Sequence, residues 1–147
     1  MITLEKLLLL KSVTLFKHVP DDLLLHLVSS IVQEKRVNAG ANILKKGQSN
    51  AIMYIIASGV AKVHDEDGLV IKELNTREIF GELSTLTGQS PVNNVSAATD
   101  CLLLTIRGDA FYDLMSIEPD ILRGVILTLC ERAQNMSYQI SELMNNN

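Results

Sequence analysis

Histidines and cysteines, the side chains most given to metal ligation and nucleophilic or proton-transfer chemistry, are few in this chain (three and two), and they are scattered. His18, His26 and His64 lie far apart with no HxH or HxxxH spacing, so they supply no metal-ligand set. Cys101 and Cys130 form no CxxC pair and imply neither a zinc site nor a disulfide framework. Both are expected to be small apolar residues of the interior. The serines sit in no nucleophile elbow, and no base is paired with them at a recognisable spacing. The chain therefore reads as a non-enzyme with no metal and no cofactor. One segment differs: Phe80-Gly81-Glu82-Leu83-Ser84-Thr85-Leu86 sets a glycine, an acid and two hydroxyls side by side. Taken alone, it is a turn glycine followed by a solvated first-turn acid.

The elements that must position this segment fall into three zones. Residues 1–31 are leucine-rich and read as helical. Leu7–Leu10 between Lys6 and Lys11 suggest a short amphipathic helix whose leucines pack on the domain or on a neighbour. Pro20-Asp21-Asp22 then opens a second helix with Leu23, Leu24, Leu27, Val28 and Ile31 on one stripe. Residues 32–106 change to short β-prone runs: Gln33–Val37, Asn42–Lys45, Ile52–Ala57, Val60–His64, Leu69–Leu74, Val92–Ala97 and Leu102–Ile106. Glycines separate the first five runs, and Asp65-Glu66-Asp67-Gly68 reads as a hairpin tip. Residues 107–147 return to helix. Phe111, Leu114 and Met115 share one face of Arg107–Ile117, and Pro119-Asp120 opens a helix to about Leu143. The pattern predicts a mainly β fold of jelly-roll type with flanking N- and C-terminal helices.

Composition narrows the function further. The 147 residues carry a formal net charge of −4, with 47% hydrophobic and 20% charged side chains, which suits one packed domain. Only 13 lysines and arginines are present, and they are scattered, so no basic excess exists for nucleic acid. No apolar run reaches the 18 or so residues of a membrane span, so no direct membrane insertion is expected. The Leu7–Leu10 run is too short for a signal-peptide core. A reducing, cytoplasmic setting is the simplest expectation, either for a free chain or for a cytoplasmic domain of a larger protein.

In order along the chain, the motifs resemble the cyclic-nucleotide-binding domain family. Phe80–Leu86 looks like that family's phosphate-binding cassette, which the resemblance extends over residues 80–95. Val37-Asn38-Ala39-Gly40, with Ile43 and Lys46-Gly47, is similar to its first turn region, and Met53–Gly59 to its central strand and glycine. Val95-Ser96-Ala97 and Leu103–Ile106 match the strands after the cassette, and Phe111 and Leu114 the helix beyond them. The resemblance implies a regulatory ligand-sensing module for cyclic AMP or cyclic GMP. Gly81, Glu82, Leu83 and Ser84 would line the site, Glu82 accepting from the ribose 2′-hydroxyl and the helix start facing the phosphate. Asn93 and Asn94 would offer amide donors. The opening residues are more loosely similar to copies of the domain fused behind transporter or helical-repeat modules, implying a fused or associated effector. No helix-turn-helix comes after Leu143, so direct gene regulation is not expected.

One position departs from the family. Counted from Phe80, the phosphate-pairing arginine would stand where this chain has Pro91, followed by Val92, Asn93 and Asn94. Proline has neither charge nor N–H. Losing the partner of a partly desolvated phosphate costs roughly 2–5 kcal/mol, so a micromolar site falls towards millimolar. Arg77 just before the cassette is read as a solvated turn residue. Ser90-Pro91 without the charge reads as the end of a loop at an edge strand.

The last helix adds an expectation about assembly. Leu122, Ile126, Leu129, Ala133, Met136, Ile140 and Leu143 step as a heptad seam beyond any surface that one domain would cover. By the resemblance this helix either covers the pocket as a lid or pairs with a second copy, and the length of the seam favours a weak parallel homodimer. The seam equally suits the alternative function, a scaffold or dimerisation module with a degenerate pocket.

Overall fold

The computed structural model describes residues 1–48 and 51–146. Two helices come first, α1 (Thr3–Lys11) and α2 (Asp21–Ser30), joined through a 3₁₀ turn at Thr14–Phe16. Eight strands come next: β1 Gln33–Val37, β2 Asn42–Leu44, β3 Ile52–Ser58, β4 Ala61–His64, β5 Val70–Leu74, β6 Ile79–Phe80, β7 Asn94–Ala97 and β8 Cys101–Arg107. A short helix, α3 (Glu82–Thr87), interrupts them between β6 and β7, and α4 (Gly108–Ile117) and α5 (Pro119–Asn145) close the chain.

The strands form two four-stranded antiparallel sheets, ordered β1-β8-β3-β6 and β2-β7-β4-β5. Every neighbouring pair in the second sheet except β4-β5 comes from distant sequence, the crossover pattern of a jelly roll. The first sheet is covered on both faces, and its central strands show it. In β3, Met53 and Ile55 face the helices while Tyr54 and Ile56 face the other sheet. In β8, Leu104 and Ile106 likewise face the helices and Leu103 faces the other sheet. Burial on both faces explains why these strands read as continuous apolar runs rather than alternating ones. The helical layer closes over Phe16 and Phe111, whose rings meet edge to face at 6.4 Å. Between the sheets, Tyr54 and Phe80 stack at 4.9 Å.

The first helix meets its expectation in part: Leu9 and Leu10 are buried on the domain and Leu7 packs partly against it, while Leu4 and Leu8 face outward. The turn at residues 65–68 is organised by Asp65, whose carboxylate accepts from the backbone N–H groups of Asp67 and Leu69.

In four places the structure differs from the sequence pattern. Strand β6 is only two residues long and falls below what apolar periodicity detects. Strand β7 begins at Asn94, so Pro91 and Val92 precede it. It is also an inner strand between β2 and β4, not an edge. Pro91 is tolerated because its carbonyl alone is used, accepting from Gly47 N–H at 3.1 Å. Cys130 is exposed, in contrast to buried Cys101, because it points away from the side of α5 that packs.

The last helix packs through Ile121, Gly124, Val125 and Thr128. The heptad seam is displaced by one residue, about 100° around the helix, and is exposed along Leu122, Ile126, Leu129, Met136, Ile140 and Leu143. Gly124 decides the face. A Cβ there would stand 1.9 Å from the carbonyl oxygen of Leu15, so only glycine lets α5 lie against the 3₁₀ turn. Thr14 adds a hydroxyl contact to Glu131 at 2.9 Å.

Candidate functional site

Three pieces of chain meet around a cavity of about 260 Å³. The roll contributes Leu44, Val63, Ile71 and Val95, the cassette contributes Gly81 to Ser84, and the loop before β7 contributes Pro91 to Asn93. Gly81 starts α3 with φ of +81°, and a Cβ there would meet the carbonyl oxygen of Ile52 at 2.6 Å. A left-handed glycine is needed to turn β6 into α3 this close to β3. The turn brings Glu82 inward.

Glu82 is not a solvated first-turn acid. It is only 2% exposed, and its Oε1 lies 2.5 Å from Nη2 of Arg132 on α5. The same Nη2 donates to the carbonyl of Ile79 at 3.2 Å. Burial pushes the Glu82 carboxyl above the usual range, opposed by the positive charges of Arg132 and, more weakly, Lys72. Arg132 therefore ties the last helix to the cassette one turn beyond Thr128, where α5 leaves the body of the domain. Neither Arg132 nor Lys72 was legible as a site residue in the sequence, because each reaches the cassette only through tertiary packing.

The sequence-derived residues divide in the structure. Gly81, Glu82, Leu83, Ser84, Pro91 and Asn93 line the cavity. Asn94 lies at the start of β7, where its side-chain oxygen accepts from Lys46 N–H at 3.0 Å, and it is not part of the lining. Arg77 has φ of +77° and borders a neighbouring cavity of about 230 Å³ between β5, β6, the 3₁₀ turn and α5. Lys72 and Arg132 stand on the border of both cavities. His64 is a structural residue, its Nε2 paired with the Ser96 hydroxyl at 2.7 Å.

The sequence profile described as "Cyclic nucleotide-binding domain" matches residues 34–118, more than half of the chain. The chain belongs to the cyclic nucleotide-binding domain family. Among its relatives, a cyclic nucleotide-gated potassium channel of Rhizobium etli is 32% identical over 124 residues, covering 84% of this chain and 34% of the channel. Patatin-like phospholipase domain-containing protein 7 of Mus musculus is 28% identical over 109 residues, covering 71% of this chain and 8% of that protein. This cyclic nucleotide-binding domain thus spans about a third or less of those two curated relatives. In fold it is similar to the crystal structure of a cyclic nucleotide-binding domain from Methylobacillus flagellatus, with TM-score 0.76 and 19% identity over 93% of this chain and 79% of that one. No described helix is long and apolar enough to cross a membrane.

Proposed function

We propose that this cyclic nucleotide-binding domain is a ligand-sensing module that regulates a fused or associated effector, with cyclic-nucleotide affinity weakened by Pro91. The observation that carries the reading is the Glu82–Arg132 pair, which links the cassette to α5 at 2.5 Å. A ligand hydroxyl that donates to Glu82 shares this carboxylate with Arg132 and fills the space beneath α5. Occupancy is then felt by the exposed half of the helix, where an effector or a second copy would contact it. Two free thiols suit a reducing, cytoplasmic setting. The experiment joins calorimetry with cyclic AMP and cyclic GMP to an environment-sensitive probe on exposed Cys130. Saturable heat together with a change in probe signal supports sensing; heat without a probe response removes the coupling to α5.

A second reading is favoured by the unpartnered seam of α5. Met136 is 62% and Ile140 56% exposed on a stretch of helix where every described residue beyond Arg132 is exposed. A second copy of the chain, pairing its α5 in parallel, supplies the complementary apolar stripe. The domain then acts as a dimerisation scaffold, whether or not its pocket is filled.

A further inference from the structure

The charge balance of the cavity selects among ligands, and the inference rests on the reading that this cavity is the sensing site. From residue 79 to residue 106 the chain contains no lysine or arginine. The cassette and the loop before β7 therefore contribute a carboxylate, hydroxyl and amide groups and apolar surface to the lining, but no cation. Two cations arrive from elsewhere. Arg132 is held by Glu82 and the Ile79 carbonyl. Lys72 is exposed on β5, where water and salt screen its charge.

A cyclic phosphate would add a second negative charge beside a buried carboxylate whose guanidinium partner already balances it in charge, the Arg132 Nε alone being left as an unpaired donor among the described buried groups of the lining. Removing a charge from water is unfavourable unless a partner meets it. Pro91, buried where that partner would be needed, offers none. An uncharged ligand avoids the penalty and keeps the rest of the recognition. The Glu82 carboxylate has lone pairs beyond the one facing Arg132, enough to accept from two neighbouring hydroxyls. The side chains of Val63, Ile71 and Phe80 offer an apolar wall for a flat ring.

We propose that the cavity takes an uncharged ribonucleoside in preference to a cyclic nucleotide. The vicinal ribose hydroxyls donate to Glu82, the base lies on the apolar wall, and the edge near Pro91 and Val92 stays free of phosphate.

Calorimetry on the whole chain compares adenosine and guanosine with cyclic AMP, cyclic GMP and the 2′-deoxynucleosides, each up to about 1 mM. At least one ribonucleoside is expected to bind about tenfold or more tightly than its cyclic counterpart. Its 2′-deoxy form should lose about tenfold, one hydrogen bond to a charged group. In Pro91→Arg, checked for folding by circular dichroism, the order should move towards the cyclic nucleotide. Equal or tighter binding of a cyclic nucleotide by the unaltered chain overturns the preference while leaving the sensing reading standing. Loss of that binding in Lys72→Ala would then identify the rim lysine as the charge supplied in place of the cassette's. No saturable binding by any of these compounds overturns both.

Discussion

Replacing Arg132 by methionine keeps most of the aliphatic stem on the domain and removes the charge paired with Glu82, together with the hydrogen bond to the Ile79 carbonyl. Breaking a fully buried pair by removing one partner costs about 3–5 kcal/mol. Here the Glu82 side chain is 3% exposed but that of Arg132 is 36% exposed, so solvent already screens part of the interaction. The discounted cost at neutral pH is roughly 1–3 kcal/mol. The pH dependence identifies the cause. Burial raises the Glu82 carboxyl above its ordinary value of 4.5, and Arg132 holds that rise down. A raised carboxyl favours the fold when protonated; this contribution is present below the unfolded value and is lost as pH rises through the folded one. Without Arg132 the carboxyl rises further. The deficit of Arg132→Met relative to the unaltered chain should therefore be small near pH 4 and grow towards pH 7. Urea unfolding at the two pH values, with unchanged slope, measures it. Adding Glu82→Gln removes the stranded charge, so the double variant should be more stable at pH 7 than Arg132→Met alone. A deficit that is equal at both pH values, or no recovery in the double variant, would refute a buried carboxylate neutralised by Arg132.

Gly124→Ala should destabilise the domain by roughly 2 kcal/mol or more, because a Cβ 1.9 Å from the Leu15 carbonyl forces α5 off the 3₁₀ turn. Urea titration would show a lowered midpoint. If α5 pairs with a second copy, Met136→Lys with Ile140→Lys places charges in the exposed seam and should convert a concentration-dependent dimer to monomer in sedimentation, with little change in unfolding midpoint. In the native chain a thiol reagent should modify exposed Cys130 rapidly. Cys101, buried and with its thiol pushed up by desolvation, should react only on unfolding.

The local elements were legible from the sequence because local physics specifies them. Pro20 with two acids marks the start of α2, Pro119 stands at the first position of α5, and β-prone runs between turn glycines delimit most of the strands. The cassette was legible only through the resemblance of the whole chain, in order, to a known family; Gly81 and Glu82 by themselves read as a turn glycine and a first-turn acid. The two-residue strand β6 left no mark in the sequence, because its stability comes from pairing with β3 rather than from its own pattern.

Tertiary structure alone decided which face of α5 is buried and what Glu82 meets. Hydropathy favours the seam through Leu122, Ile126 and Leu129, yet the domain uses the neighbouring face because Gly124 permits a close approach that no larger residue would. Apolar periodicity records how much surface seeks cover, not which neighbour can come near enough to give it. In the same way the resemblance marks Glu82 as a site residue, but only α5 brings Arg132, from far along the chain, to within 2.5 Å of it. A carboxylate's environment depends on distance in space and on the water excluded around it, and sequence separation specifies neither.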